Sequence, residues 1–178
     1  MERGLDIREG FEYTKLNGEY HSFDDKPAIR YLSGNKEWYR NGKLHRDDDM
    51  PAIVEENGTK WWYQNGMIHR GNDLPAFIDS DGSRSWYIND MLHRGNDLPA
   101  AIHKGIATEW WLNGEPHRSG DKPAVIRENG DLEWWLNGER HRSDGKPAVV
   151  QVNGNVEWWL NGKKMRKSIC IRSSIKEL

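Results

Sequence analysis

Six of the seven prolines in this chain stand in strict step. They are Pro27, Pro51, Pro75, Pro99, Pro123 and Pro147, each 24 residues after the last and each followed by alanine. The same step carries His21, His45, His69, His93, His117 and His141. It also carries Trp38, Trp62, Trp86, Trp110, Trp134 and Trp158, and an Asn series from Asn17 to Asn161. No insertion or deletion breaks the phase between Asn17 and Gly162. An ordinary domain tolerates extra residues in its loops at small entropic cost. A chain that refuses them even in its connections is built from units that stack on one another in one fixed way.

Each unit reads as β. In the unit around Glu133, Asn129-Gly130 and Asn137-Gly138 are hairpin signals. "DLEWWL" lies between them, the β-branched "PAVIRE" precedes them, and "ERHR" and the polar "SDGK" follow. A proline cannot donate to a ladder, so Pro-Ala marks a strand start. Two-residue turns at both Asn-Gly pairs predict that Val125 faces Trp134 and Ala124 faces Trp135. They also predict that Trp134 faces His141 and Glu133 faces Arg142. The same rule pairs Glu37 with Arg46, Glu109 with Arg118 and Glu157 with Arg166. On this reading each His packs on a Trp face and each Arg meets a Glu, with a loop Asp such as Asp121 as its alternative partner. The expected fold is all-β: an elongated single-sheet solenoid of stacked antiparallel β-hairpin repeats. Residues 1–12 form an N-terminal cap, 13–166 the array, and 167–178 a C-terminal cap, as a strand or short helix.

The pattern W-x-N-G-x-x-H at this period, as in "WLNGEPH" from Trp111 to His117, resembles MORN repeats, short hairpin units with W/Y-x-x-G-x-x-H-G-x-G. The aromatic, Gly and His match. The family's Gly-x-G after the His is replaced by Arg, an acidic loop and Pro-Ala. The resemblance covers Tyr13 to Arg166 and is to a MORN-like variant type associated with phage, bacterial and giant-virus proteins. It implies a scaffold or interaction platform. In its most specific form, it implies a phage-encoded protein in the host cytoplasm that blocks a host defence protein.

Composition narrows the function classes. Hydrophobic residues make up only 35%, yet there are 10 Trp, so burial must rest on a few large aromatics. With 26 basic and 28 acidic residues, the chain lacks the basic surplus expected of a nucleic-acid or anionic-membrane binder. Cys170 is the only cysteine, which rules out an intrachain disulfide or a thiolate zinc site and fits a cytoplasmic home. The N-terminus has no apolar signal-peptide core and no run is long enough to span a membrane. Equivalent histidines of successive hairpins would lie about 10 Å apart, too far to share one ion. The off-phase His103 is a weak candidate ligand. No phosphate loop occurs, and a group repeated identically along the chain is unlike the one asymmetric constellation of an active site. No catalytic residue, metal or cofactor is therefore expected.

Function is best sought where the repeats differ. Later units carry Lys122 and Lys146 where the middle has Met50, Leu74 and Leu98. Likewise Glu115 and Glu139 give way to Met67 and Met91, and Glu109 and Glu133 to Trp61 and Ser85. Arg70 and Arg94 thereby lose the expected cross-strand Glu, and stacking of Arg70 on Trp61 is the expected substitute. The hairpin at Gly105-Ile106 lacks Asn-Gly and is expected to bulge. Met50, Leu74 and Leu98 should form an apolar row for a protein partner or a second copy, unless the termini cover it. A second copy could also pair through an open sheet edge. A protein-interaction module is the leading reading. A nucleotide- or small-molecule-sequestering protein and a self-assembling structural component stay open.

Overall fold

The computed structural model describes residues 1–166. Cys170 and the cap expected over 167–178 lie outside the described residues. Its regular structure is β, built from antiparallel hairpins stacked in chain order. The chain divides into two compact units, Met1–Met91 and Leu92–Leu178. In the first, Glu2–Asp6 pairs along its whole length with Phe11–Leu16, which pairs with Ile29–Tyr31. The sheet then runs through Lys36–Glu37, Ile53–Val54, Lys60–Trp61, Phe77–Ile78 and Arg84–Ser85. In the second, the order is Ala101–His103, Ala107–Glu109, Val125–Arg127, Leu132–Glu133, Val149–Val150, Val156–Leu160 and Lys163–Met165. A small two-stranded ribbon follows each main hairpin, such as Trp135–Leu136 with Glu139–Arg140.

Three turns shape each repeat, and residue chemistry sets each one. At the ribbon tip, Leu136 faces Glu139 across Asn137-Gly138, and both turn residues have positive φ (50° and 76°). This is the two-residue turn expected from Asn-Gly, and it places His141 opposite Trp134, with the His141 amide donating to the Trp134 carbonyl at 3.1 Å.

The other Asn-Gly behaves differently, and the predicted register there is corrected by one residue. Val125 faces Glu133 and Ile126 faces Leu132, so Val125 does not face Trp134 and Ala124 does not face Trp135. The loop holds three residues, Glu128 to Gly130. Only Gly130 has positive φ (93°), and its amide donates to the Arg127 carbonyl at 2.9 Å. The Asn129 side chain accepts the Asp131 amide at 3.0 Å. That Asx turn keeps Asn129 out of the left-handed region and leaves it to glycine. The Gly105 hairpin keeps this register (Ala101 with Glu109, His103 with Ala107) rather than gaining a residue. Its left-handed glycine simply comes one position earlier, and Ile106 is left 62% exposed.

The third turn is the polar loop. Asp24-Asp25, Asp48-Asp49, Asn72-Asp73, Asn96-Asp97, Gly120-Asp121 and Asp144-Gly145 all have positive φ at both positions. Only Gly, Asn and Asp occupy these places, the residues that tolerate this conformation at least cost.

Burial is concentrated in two residue types. Ala28, Ala52, Ala76, Ala100, Ala124 and Ala148 are wholly inaccessible, and Trp38, Trp62, Trp86, Trp110 and Trp134 are 6–8% exposed. The backbone of each indole is tied to the next repeat: the amides of Trp38, Trp62, Trp110 and Trp134 donate to Ala52, Ala76, Ala124 and Ala148, all at 2.8 Å. A side chain larger than alanine has no room there. Thus one aromatic and one alanine per repeat do most of the work of a core.

Candidate functional site

The His-Arg dipeptide that looks most like chemistry is a latch between repeats. Arg142 lies over Trp134, its guanidinium carbon 3.7 Å from the ring centroid. Its Nε and Nη2 donate to the Asp121 carboxylate at 2.6 and 3.3 Å, and its Nη1 donates to the Pro147 carbonyl at 3.2 Å. Trp134 Nε1 in turn donates to the Asp121 backbone carbonyl at 3.0 Å. One loop Asp therefore holds the indole with its carbonyl and the guanidinium with its carboxylate. Arg118 repeats this with Trp110 and Asp97, Arg70 with Trp62 and Asp49, and Arg46 with Trp38 and Asp25.

This corrects the Glu–Arg pairing expected from the sequence in favour of its alternative, the loop Asp. Arg46, Arg118 and Arg142 reach the loop Asp of the preceding repeat, not Glu37, Glu109 and Glu133. Glu157 pairs with Lys164 rather than Arg166. Arg70 stacks on Trp62, not on Trp61, whose ring packs at 4.1 Å against Phe77. Nor does the histidine occupy the Trp face, because the arginine has taken it.

The histidine ring points instead to the next ribbon. The Asn137 backbone amide donates to His117 Nδ1 at 3.2 Å, and the Asn113 and Asn161 amides donate to His93 and His141 in the same way. In the first unit, the Asn65 amide donates to His45, and His69 Nδ1 lies 2.9 Å from the Asn89 side chain. His117 Nε2 lies 3.0 Å from Ser119 Oγ, and His141 Nε2 lies 3.1 Å from Ser143 Oγ. The side-chain oxygens of Asn137 and Asn161 lie closer still to the Nδ1 atoms of these rings, at 2.8 and 2.7 Å, so the backbone and the side chain of the ribbon Asn both close on the ring.

Electrostatics differ from latch to latch. Arg118 and Lys122 hold the Asp97 carboxyl down to about 2, and Arg142 and Lys146 do the same for Asp121. Lys122 and Lys146 reach those carboxylates at 2.6 and 2.7 Å. Asp25 and Asp49 are also lowered, by the hydrogen bonds from Arg46 and Arg70, but Met50 and Leu74 stand where the lysine would be. Clefts lie beside the latches. One of about 400 Å³ is lined by Arg94, Asp97, Trp110, His117, Arg118 and Lys122, and one of about 170 Å³ includes Trp38, His45, Arg46 and Met50. Among the described residues, no group of three or more His, Cys, Asp or Glu is placed to hold a metal ion, His103 included.

The structure distributes the sequence-selected partner residues over three places. Met50, Leu74 and Leu98 follow the left-handed loop pairs and are 44%, 38% and 38% exposed. Met67 and Met91 flank ribbon tips and are 39% and 43% exposed. Trp61 lies on the sheet, paired with Ile53 and Phe77. Arg70 belongs to a latch and is largely covered (14% exposed), and Arg94 donates to the Pro99 carbonyl. Sequence reasoning passed over the left-handed loop pairs as a generic polar loop. Their signal was present, since Asp, Asn or Gly fills both positions in every copy.

No family model matches the chain, and no curated protein matches it. The repeated antiparallel hairpins stand on the structure, while the MORN likeness stays a resemblance of motif. Among the described residues, no helix is long and apolar enough to cross a membrane.

Proposed function

We propose that this chain is a non-enzymatic module that binds protein through the apolar loop residues each unit presents, Met50 and Leu74 in the first and Leu98 in the second. One observation carries the reading. Where Lys122 and Lys146 strengthen a latch, these three positions give up that ion pair and present apolar surface to water. Exposed apolar side chains in place of useful charges mark a surface kept for contact. In its most specific form, the module is phage-encoded and covers a host defence protein by steric block, as the motif resemblance suggests.

The latch geometry disfavours the nucleotide-sequestering alternative. The Arg118 and Arg142 guanidiniums that would grip a phosphate or stack on a base already stack on Trp and bind Asp and Pro.

The test is the paired substitution Leu74→Lys and Leu98→Lys. Each lysine is 25 residues after a loop Asp, the separation at which Lys122 meets Asp97. The fold therefore accommodates both. The expected outcome is that a partner captured from bacterial lysate by the wild type, and identified by mass spectrometry, is lost with the double variant at unchanged circular dichroism. Undiminished capture of the same protein would sink the proposal.

A further inference from the structure

A second surface in the first unit is informative because the second unit shows the same positions completed. On the sheet there, Glu133 sits between Val125 and Val149. Its carboxylate receives Arg127 at 2.6 Å and Arg140 at 3.0 Å, and the Arg140 guanidinium lies 5.0 Å from the Trp135 ring centroid. Burial pushes the Glu133 carboxyl up, and the two arginines overcome it to leave it below the usual range. One repeat later, Lys164 meets Glu157 and approaches Trp159. In two of its three repeats the second unit thus places its own cation between a carboxylate and the second aromatic, while in the other Pro116 faces Trp111.

The first unit keeps a carboxylate at the Glu133 position only in Glu37, carries Trp61 and Ser85 in its other copies, and omits the cation. The position opposite the second aromatic, filled by Arg140, is Leu44 facing Tyr39 and Ile68 facing Tyr63. The place of Arg127 is taken by Glu55 and Asp79. Glu37 accepts only the Tyr31 and Tyr39 hydroxyls, and Glu55 only the Trp61 and Asn57 N–H groups, at 3.4 Å each. Asp79 accepts from Thr59 and Ser80. Among the described residues no cation meets any of these three carboxylates. Between them lies an aromatic strip, Trp61 on Phe77, and burial and the negative charges of Asp90 and Glu37 raise the Tyr63 hydroxyl. The balance of the chain agrees: residues 1–91 hold 12 Lys and Arg against 17 Asp and Glu, and residues 92–178 hold 14 against 11.

We infer that this face of the first unit docks an arginine-bearing, otherwise apolar segment of a partner protein. Its guanidiniums take the place that Arg140 holds in the second unit, over Tyr39 and Tyr63 and against Glu37 and Glu55. Its apolar side chains lie on Trp61 and Phe77. A guanidinium suits the site because it stacks on a ring and forks onto a carboxylate at once. The inference rests on the reading of the chain as a binding module but uses a different surface from Met50 and Leu74.

Two peptides of alternating leucine with arginine or glutamate, titrated against the full chain with intrinsic tryptophan fluorescence as readout, test it. The arginine peptide should bind and the glutamate peptide should not, and raised salt should weaken binding. Ile68→Arg gives the first unit its own copy of Arg140 and should weaken binding at least tenfold. Glu55→Gln with Asp79→Asn, which adds no bulk, should do the same if Ile68→Arg proves misfolded by circular dichroism. Leu74→Lys should leave this titration unchanged, so the two surfaces fail or stand separately. Equal binding of both peptides, no binding of either, or full affinity in the charge-removed variant would overturn the inference. So would light scattering showing that the wild type buries this face in a dimer broken by Ile68→Arg.

Discussion

Asp49 in the first unit and Asp121 in the second do the same work under different terms. Both sit second in a left-handed pair, give a carbonyl to an indole, and give a carboxylate to the arginine 21 residues on. Asp121 has a second cation, Lys146, and Asp49 has Leu74 in its place. The indole–guanidinium stack is nearly the same length in both, 3.9 Å at Trp62 and 3.7 Å at Trp134. The scaffold therefore keeps its packing constant and varies only the exposed ion pair. An exposed pair contributes little to stability, so it is the part that can be exchanged for a binding surface without losing the fold.

The largest effect should be blind to this difference. Trp62→Ala and Trp134→Ala each remove a buried indole, and each should cost roughly 3–5 kcal/mol. Chemical denaturation should find the two costs within about 1 kcal/mol of each other, since neighbouring packing carries most of this figure. A much smaller cost at Trp62 would break the claim that packing is constant. Next in size, Arg70→Ala should cost more than Arg142→Ala. Both lose a stack of about 0.5–2 kcal/mol, but Asp121 keeps Lys146 while Asp49, among the described residues, keeps no second cation. Equal losses would mean that the lysine does nothing.

The smallest effect is the lysine itself. Lys122→Leu should cost about 0.2–1 kcal/mol at low salt and almost nothing at high salt. Its clearer signature is in pH. The Asp97 carboxyl is depressed in the folded state to about 2 from 3.8. Its stabilising contribution is therefore complete above the unfolded value and is lost as pH falls toward 2. Carboxyl-carbon NMR of Lys122→Leu should show the Asp97 midpoint move upward. An unchanged midpoint would leave the arginine as the sole cause.

Much of this architecture was legible because a repeat states each constraint six times. Period, strand class, the ribbon turn at Asn137-Gly138 and the Trp134–His141 pairing all follow from residue type and spacing. The misread turn at Asn129-Gly130 has a physical cause. The same dipeptide forms two turns, and the choice depends on what the Asn side chain does. Asn129 folds back on Asp131, whereas the Asn137 side chain lies against His117 of the preceding repeat. The first partner is local, but the second becomes visible only once the repeats stack. The Arg–Asp latch was legible only as an alternative, for the same reason. Cross-strand Glu offered a nearer partner in sequence, while the Asp used in the fold is 21 residues back. For the candidate surfaces, sequence comparison named the odd positions and their strand or loop, and only the structure gave their exposure and partners.

The reach of the latches also bears on how such a chain comes to exist. The Asn–His and Arg–Asp bonds close over 20 and 21 residues in both units, and the Lys–Asp bonds of the second unit over 25. These bonds close loops of nearly one size, so adding a repeat lengthens the molecule without enlarging the conformational search. Folding can begin at any repeat and spread to its neighbours. A gene encoding such a chain can gain or lose whole multiples of 24 residues and still specify a folded product. A slip of one residue would put every latch that spans it out of register at once.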